Sequence, residues 1–367
     1  MKQKMALSIA ILHVQEMRIF RRKKVEKEKI ELIKFDEAGY FESADAVYAQ
    51  RAEVEQLADE LDKEGYSNIW LLGIGGTEFE LYQFEYSVKR MSDIDIKVIN
   101  AADCNMVRPK GLTKDSLVIT ASASGDTPEL VECARNLVAD GIRVVAFTKL
   151  DGILGGIVTK AIQSGVKTVG GLEFSYVLES FLIYSLIYKK GYFPGYPKFA
   201  DELKNIFKDL VDIRKVWEPK AENIAKHCWN APYTIFTGSG ALWGETELFA
   251  ECLLEEMQWV RTRPITSAKF FHGTLELAEP GVPVIIIKGE DEFRKQDNRV
   301  EEFCKLINTE YYVLDTQEYK VNVSDEFRPL VVPWIATALL TERLTNWYEC
   351  FTKHNKKYRR YYRQFKY

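Results

Sequence analysis

"NIWLLGIGGTEFELYQF", residues 68–84, runs from an apolar segment through a glycine turn into a stretch of helical pattern. A short apolar run closed by glycine reads as a strand buried on both faces, and the mixed stretch after it reads as a helix packed on that strand. The order returns downstream in "DIKVINAAD" (95–103), "SLVITASASGDTPELVECARNLVADG" (116–141) and "RVVAFTK" (143–149). Strands alternating with helices imply a parallel sheet.

"YTIFTGSGAL" (233–242) repeats the opening motif, an apolar run closed by G-x-G and a small residue. The duplication implies an α/β chain of two tandem domains, each a doubly wound parallel sheet flanked by helices. The stretch "KKGYFPGYPKF" (189–199), broken by two prolines and two glycines, marks the boundary. The expected organisation is a charged N-terminal arm or helix over 1–44, a first domain over 45–195, a second over 196–345 and a tail over 346–367.

A length of 367 residues suits two such domains. Charges of both signs nearly balance, for a formal net charge of -4, so neither nucleic acid nor a membrane surface is an expected partner. Six cysteines lie scattered without a C-x-x-C pair. That spacing predicts no zinc site and no disulfide framework, and fits a cytoplasmic setting. The apolar run "MALSIAILHV" (5–14) is too short to span a bilayer and no cleavage pattern follows it. Next to it, "QEMRIFRRKKVEKEKIELIK" (15–34) interleaves acidic and basic residues and reads as a solvated helix or arm, not as a DNA-binding element.

"ASASGDTPE" (121–129) lies between a buried strand and an amphipathic helix. Pro128 suits a first helical turn and Glu129 favours the positive end of the helix dipole. Ser122, Ser124 and Thr127 therefore bring three hydroxyls to a helix N-terminus, beside free N–H groups and Gly125, which lets a ligand approach the backbone. Such a nest holds a phosphate; the plain alternative is that Ser124 or Asp126 caps the helix. The counterpart in the second half, "IIIKGEDEF" (285–293), carries Glu290, Asp291 and Glu292, which repel a phosphate. Further on, "EEMQWVRTRPITSAKFFHG" (255–273) reads as a carboxylate-rich helix stopped by Pro264, followed by a turn that presents His272.

The S-x-S-G-x-T pattern at 122–127, after G-x-G-G-T at 73–77, resembles the sugar-isomerase (SIS) fold that binds phosphosugars, arranged in tandem as in the isomerase half of glucosamine-6-phosphate synthase. "EMQW" (256–259), "FFHGTLEL" (270–277), "EPGVP" (279–283) and "RRYYRQFKY" (359–367) resemble the fructosamine-6-phosphate deglycases, including those acting on fructoselysine 6-phosphate and glucoselysine 6-phosphate. The resemblance spans residues 45–367. It implies phosphate contacts from Ser122, Ser124, Thr127 and Gly125, with Gly75, Gly76 and Thr77 in the first turn, where serine is commoner.

It further implies a catalytic carboxylate at Glu256 and a histidine at His272, sixteen positions on. Substrate contacts would come from Arg359, Arg360 and Tyr361 in a tail folded over the site. The resemblance also implies a homodimer or higher homo-oligomer with shared sites, His272 acting across the interface, and no metal or other cofactor. Two departures stand out: Thr274 replaces the proline of H-G-P, and Leu253 replaces a lysine of glucosamine-6-phosphate synthase. The latter, with no amide-hydrolysing domain, argues against glucosamine synthesis. The implied activity is hydrolytic deglycation of a phosphorylated sugar–amine adduct. The alternatives are a phosphosugar aldose–ketose isomerase, or a non-catalytic sugar-phosphate sensor that needs no Glu256 and His272.

Overall fold

A computed structural model of the chain describes residues 30–164 and 171–366. The apolar run at 5–14 and most of the charged segment at 15–34 lie outside the described residues. Asn68–Gly73 (β1), Ile96–Asn100 (β2), Ser116–Ser122 (β3), Arg143–Thr148 (β4) and Lys160–Gln163 (β5) form a parallel sheet in the order β2-β1-β3-β4-β5. Thr234–Gly238 (β6), Thr262–Thr266 (β7), Val284–Lys288 (β8) and Tyr311–Asp315 (β9) form a second parallel sheet, β7-β6-β8-β9. Each sheet winds outward both ways from its first strand, so the tandem doubly wound α/β architecture stands.

The unbroken apolar runs have a direct cause: successive side chains point to opposite faces, and both faces are covered. Along β3, Leu117, Ile119 and Ala121 enter one core, while Val118 enters another with the 128–139 helix. In the second sheet Phe236, Ile285 and Ile287 face the first of these cores, and Ile235, Val284 and Ile286 face an outer one. The inner faces of both sheets therefore share one continuous core. Its centre is the Leu172–Lys189 helix, apolar around its circumference and buried along most of its length. The turn-rich stretch 189–199 adds Phe193, Tyr196 and Phe199 to the same core.

Within the stretch expected as an arm, Glu37–Ala49 is a helix capped by Asp36, which accepts from the Gly39 N–H at 3.0 Å. Its Tyr40 is fully buried and donates to Glu173 at 2.7 Å. Arg214, also fully buried, pairs with the same carboxylate, so that charge is not left alone in the core.

The Gly76–Met91 helix of the first half is clamped to the second. A Cβ on Gly244, in the Trp243–Leu248 helix, would overlap the Phe79 carbonyl oxygen, so the two backbones meet with nothing between them. Trp334 donates to Gln83 at 2.9 Å, and Arg90 reaches both Glu292 oxygens at 2.7 Å.

One expectation is corrected. The carboxylate-rich helix does not run to Pro264: its Phe249–Glu256 portion is π-helical, it ends at Gln258, and Trp259 takes a left-handed φ of 57°. Pro264 lies inside β7, an edge strand, where a missing N–H breaks no ladder. Among the described residues no helix is long and apolar enough to cross a membrane.

Gly244→Ala forces a methyl group into backbone, and should cost about 1–3 kcal/mol, the usual range for overpacking. Urea unfolding checks this, and a loss under about 0.5 kcal/mol, as for an ordinary surface change, would show that the contact is not tight.

Candidate active site

In a doubly wound sheet the strands on either side of the winding reversal leave a crevice at their carboxyl ends. For the first sheet the crevice lies between β1 and β3, and the turns leaving those strands carry Gly75–Thr77 and Ser122–Thr127. A cavity of about 630 Å³ opens there, a size suited to a small molecule. Gly76, Thr77, Ser122, Ser124 and Thr127 line it from the first half, Leu253, Glu256, Met257, Glu342 and Thr345 from the second, and Lys356, Tyr362 and Arg363 from the tail.

The β3 turn needs its glycine. Gly125 has φ 68°, and a Cβ there would press on the Thr148 hydroxyl, which donates to the Ser122 carbonyl at 2.9 Å. The Gly125 N–H donates to the Ser122 hydroxyl at 3.1 Å. Neither Ser124 nor Asp126 caps the following helix: Thr127 holds the cap position and makes no side-chain cap bond, and Pro128 opens the helix.

One cation sits on this loop. Arg363 donates to Asp126 at 2.9 Å and Thr127 at 3.2 Å, and lies 3.5 Å from the Ser124 hydroxyl. Hydrogen bonding from Ser124, and then from Arg363, holds the Asp126 carboxyl below its usual range. In the first turn Gly75 takes φ 55°, while the Thr77 hydroxyl donates to the Ile74 carbonyl at 3.0 Å and accepts from the Ile74 N–H at 3.1 Å.

Glu256 is the carboxylate that the π-helical turn aims at the cavity. Its neighbour Glu255 is turned away, accepting from the Thr262 hydroxyl at 2.6 Å. The rest of "EMQW" docks the tail: Gln258 accepts from Thr352 at 2.8 Å and donates to the His354 carbonyl at 3.2 Å, and Trp259 packs against His354 with ring centres 4.0 Å apart and ring planes tilted by 38°. Arg359 then donates to Glu256 Oε1 at 2.7 Å. Arg360 lies over the Trp259 ring at 4.3 Å and Tyr361 is 62% exposed; neither lines the cavity, where Tyr362 and Arg363 stand instead.

His272 is exposed, in the turn after Ser267–Phe270, and does not line this cavity within its own chain. Thr274, the departure from H-G-P, is buried and opens a single 3₁₀ turn.

The second sheet's crevice, between β6 and β8, is filled by the chain itself. Asp291 Oδ2 accepts from the Ala241 N–H at 3.2 Å and from Tyr86 at 2.8 Å, and Oδ1 accepts from the Phe293 N–H at 2.9 Å. A carboxylate occupies the place that the first half leaves open.

Beneath the open cavity lies a group of buried carboxylates. Glu80, which lines it, is pushed up to about 8 by burial and by the charge of Glu245. Burial likewise pushes Glu245 to about 8 and raises Glu179 well above its usual range; Tyr176 donates to Glu245. Glu80 lies one turn beyond the G-x-G-G-T turn, and that position was the available signal for it. Arg363 was legible only as one more arginine in "RRYYRQFKY", and Glu342 and Lys356 carried no sequence signal.

No protein-family model matches the chain. It is similar to a fructosamine deglycase of Bacillus subtilis strain 168, 25% identical over 296 residues, or 78% of this chain and 89% of the relative. It is equally similar to a fructoselysine 6-phosphate deglycase of Escherichia coli K12, 25% identical over 313 residues, or 84% and 89%. A Bacillus subtilis crystal structure of the phosphosugar-isomerase type superposes with a TM-score of 0.78 at 23% identity, over 88% of this chain and 100% of that one. The chain is a tandem SIS-fold protein. The C-terminal domain of glucosamine-fructose-6-phosphate aminotransferase from Francisella tularensis shares the fold, with a TM-score of 0.66 at 17% identity over 84% and 95% of the two chains.

The carboxylates under this SIS cavity predict a pH dependence. Glu245 has a folded pKa of about 8 against an ordinary 4.5. The unfolded chain therefore releases that proton first, and stability falls as pH rises from near 4.5 through 8. Glu245→Gln lacks this loss, so its melting temperature should gain on that of the unmodified protein between pH 5 and pH 8; a difference constant with pH would refute the assignment.

Proposed function

We propose that the chain is a deglycase that converts a 6-phosphorylated sugar–amine adduct, of fructosamine or glucosamine type, to a hexose 6-phosphate and a free amino acid. Fructoselysine 6-phosphate and glucoselysine 6-phosphate are the model substrates. The observation that carries this reading is that one cavity holds both a hydroxyl-lined helix N-terminus and Glu256. The similarity to deglycases over most of the chain supports it.

Ser122, Ser124 and Thr127 anchor the phosphate at the helix N-terminus, and Arg363 adds a positive charge. Anchoring far from the reacting carbons turns binding energy into orientation. In the open-chain ketose the C1 proton is acidified by the C2 ketone. Glu256 removes it as general base, using Oε2 because Arg359 takes Oε1. A proton delivered to O2 gives a neutral enaminol. Protonation at C2 by the same carboxyl yields an imine at C1, and water then adds across the C=N bond to release the amine and the aldose 6-phosphate.

The proton for O2 comes, on this reading, from His272 of a second copy of the chain. Its exposed turn, away from the cavity of its own chain, supports a homodimer with shared sites.

Incubation with fructoselysine 6-phosphate, glucoselysine 6-phosphate and fructose 6-phosphate, with assay of free lysine and hexose phosphates, tests the reaction. Amine release is expected from at least one adduct, and none from either would overturn the reading. Glu256→Gln should lower kcat by about 100-fold or more, in line with loss of a positioned general base. Glu256→Gln mixed and reassembled with His272→Ala should recover part of the lost activity, because one of the two sites in the mixed dimer is intact. No recovery would place both groups in one chain.

A further inference from the structure

Glu80 is a buried carboxyl in the cavity wall with no part in the steps from ketose to imine. It is 3% exposed and lines the cavity from the Gly76–Met91 helix. Among the described residues no hydrogen bond and no cation acts on its carboxyl; burial and the charge of Glu245 are the influences upon it. Three elements face it. The Trp243–Leu248 helix brings Glu245, the Leu172–Lys189 helix brings Glu179 and Tyr176, and the π-helical turn brings Cys252. Tyr176 donates its hydroxyl proton to Glu245. Glu179 Oε1 and Oε2 and Glu245 Oε2 are sealed from solvent without a hydrogen-bond partner, and neither oxygen of Glu80 is sealed. Glu80 is therefore where this acidic group opens onto the cavity.

Three carboxyls packed together without a cation cannot all ionise in a low-dielectric interior, so protons stay on the group at neutral pH. Glu256, on the same cavity, is placed differently, with the Arg359 guanidinium 2.7 Å from its Oε1. Both carboxyls reach Cys252: burial, then the charges of Glu256, Glu251, Glu247 and Glu80, push its thiol up to about 12. Glu80 and Glu256 thus flank one residue of the cavity wall. Two carboxyls set near each other in opposite surroundings divide into an acid and a base.

Deglycation needs such an acid. For the ketose adduct, once the imine has formed, the protons supplied by Glu256 and His272 lie on C2 and O2, and the amine nitrogen must still be protonated before it leaves. We propose that Glu80 is a second catalytic carboxyl, the general acid for departure of the amine. As the carbinolamine collapses, the C–N bond breaks and its electron pair stays on nitrogen, which takes the Glu80 proton. The carbinolamine hydroxyl becomes the carbonyl and its proton returns to the Glu80 carboxylate, so the residue ends as it began. The inference rests on the deglycase reading and adds to it a group that serves one step.

The test follows two events in heavy water, with whichever of fructoselysine 6-phosphate and glucoselysine 6-phosphate is turned over: release of lysine, and entry of deuterium into the amine-bearing carbon of unreacted substrate. The second event needs the Glu256 base but not the departure of the amine. Glu80→Gln should lower release about 100-fold, the effect of one positioned acid, and leave deuterium entry near that of the unmodified protein. Glu80→Asp should restore part of the release. In the unmodified protein the ratio of release to deuterium entry should fall as pH rises through about 8, where Glu80 loses its proton, and in Glu80→Gln that fall should vanish. A folded Glu80→Gln in which both events are unchanged, or both fall together, would overturn the acid role and leave the deglycase reading standing. Should the variant fold poorly, the pH comparison on the unmodified protein decides: a ratio flat through that range overturns the role and a falling one upholds it. No lysine from either adduct overturns the deglycase reading and the acid role with it.

Discussion

Everything in the cavity depends on how closely the Gly76–Met91 helix meets the Trp243–Leu248 helix. The first begins at the glycine turn that leaves β1, and the second runs directly into the π-helical turn that carries Glu256. With backbone against backbone at Gly244 and Phe79, neither helix can shift without opening the core that the two sheets share. The cavity-lining glycine turn of one half and the carboxylate of the other are thus set by main-chain packing, and flexible side chains are left to fine adjustment.

The tail is the third part. "EMQW" works as a unit in which only Glu256 faces the cavity, while Gln258 and Trp259 hold the start of the tail. Once held, the tail brings Arg359 to Glu256 and Arg363 to the β3 turn. Three residues separate the two arginines, and that interval joins the two ends of the site.

The repeated strand, glycine turn and helix were legible because parallel strands covered on both faces admit few polar residues, and a tight exit at the switch point demands glycine. Gly75 and Gly125, read as turn glycines, both take positive φ. The π-helical turn was not legible, since "FAECLLEEMQW" fits an α-helical pattern equally well and the extra residue per turn comes from packing. Pro264 misled because proline halts helices and is also tolerated in edge strands, and edge position is a property of the whole sheet. In the tail, alternating arginines and aromatics look alike in sequence, and only the docking of His354 on Trp259 decides which of them turns inward.

Asp291 in the second crevice has a consequence for stoichiometry. It is covalently tethered to the turn it fills, so a free anion competes there against a carboxylate at very high effective concentration and meets its charge as well. The two sheets carry crevices of the same design, and one of them is satisfied from within. Each chain therefore leaves one such crevice open, not two, and the second sheet serves as a rigid support beside it.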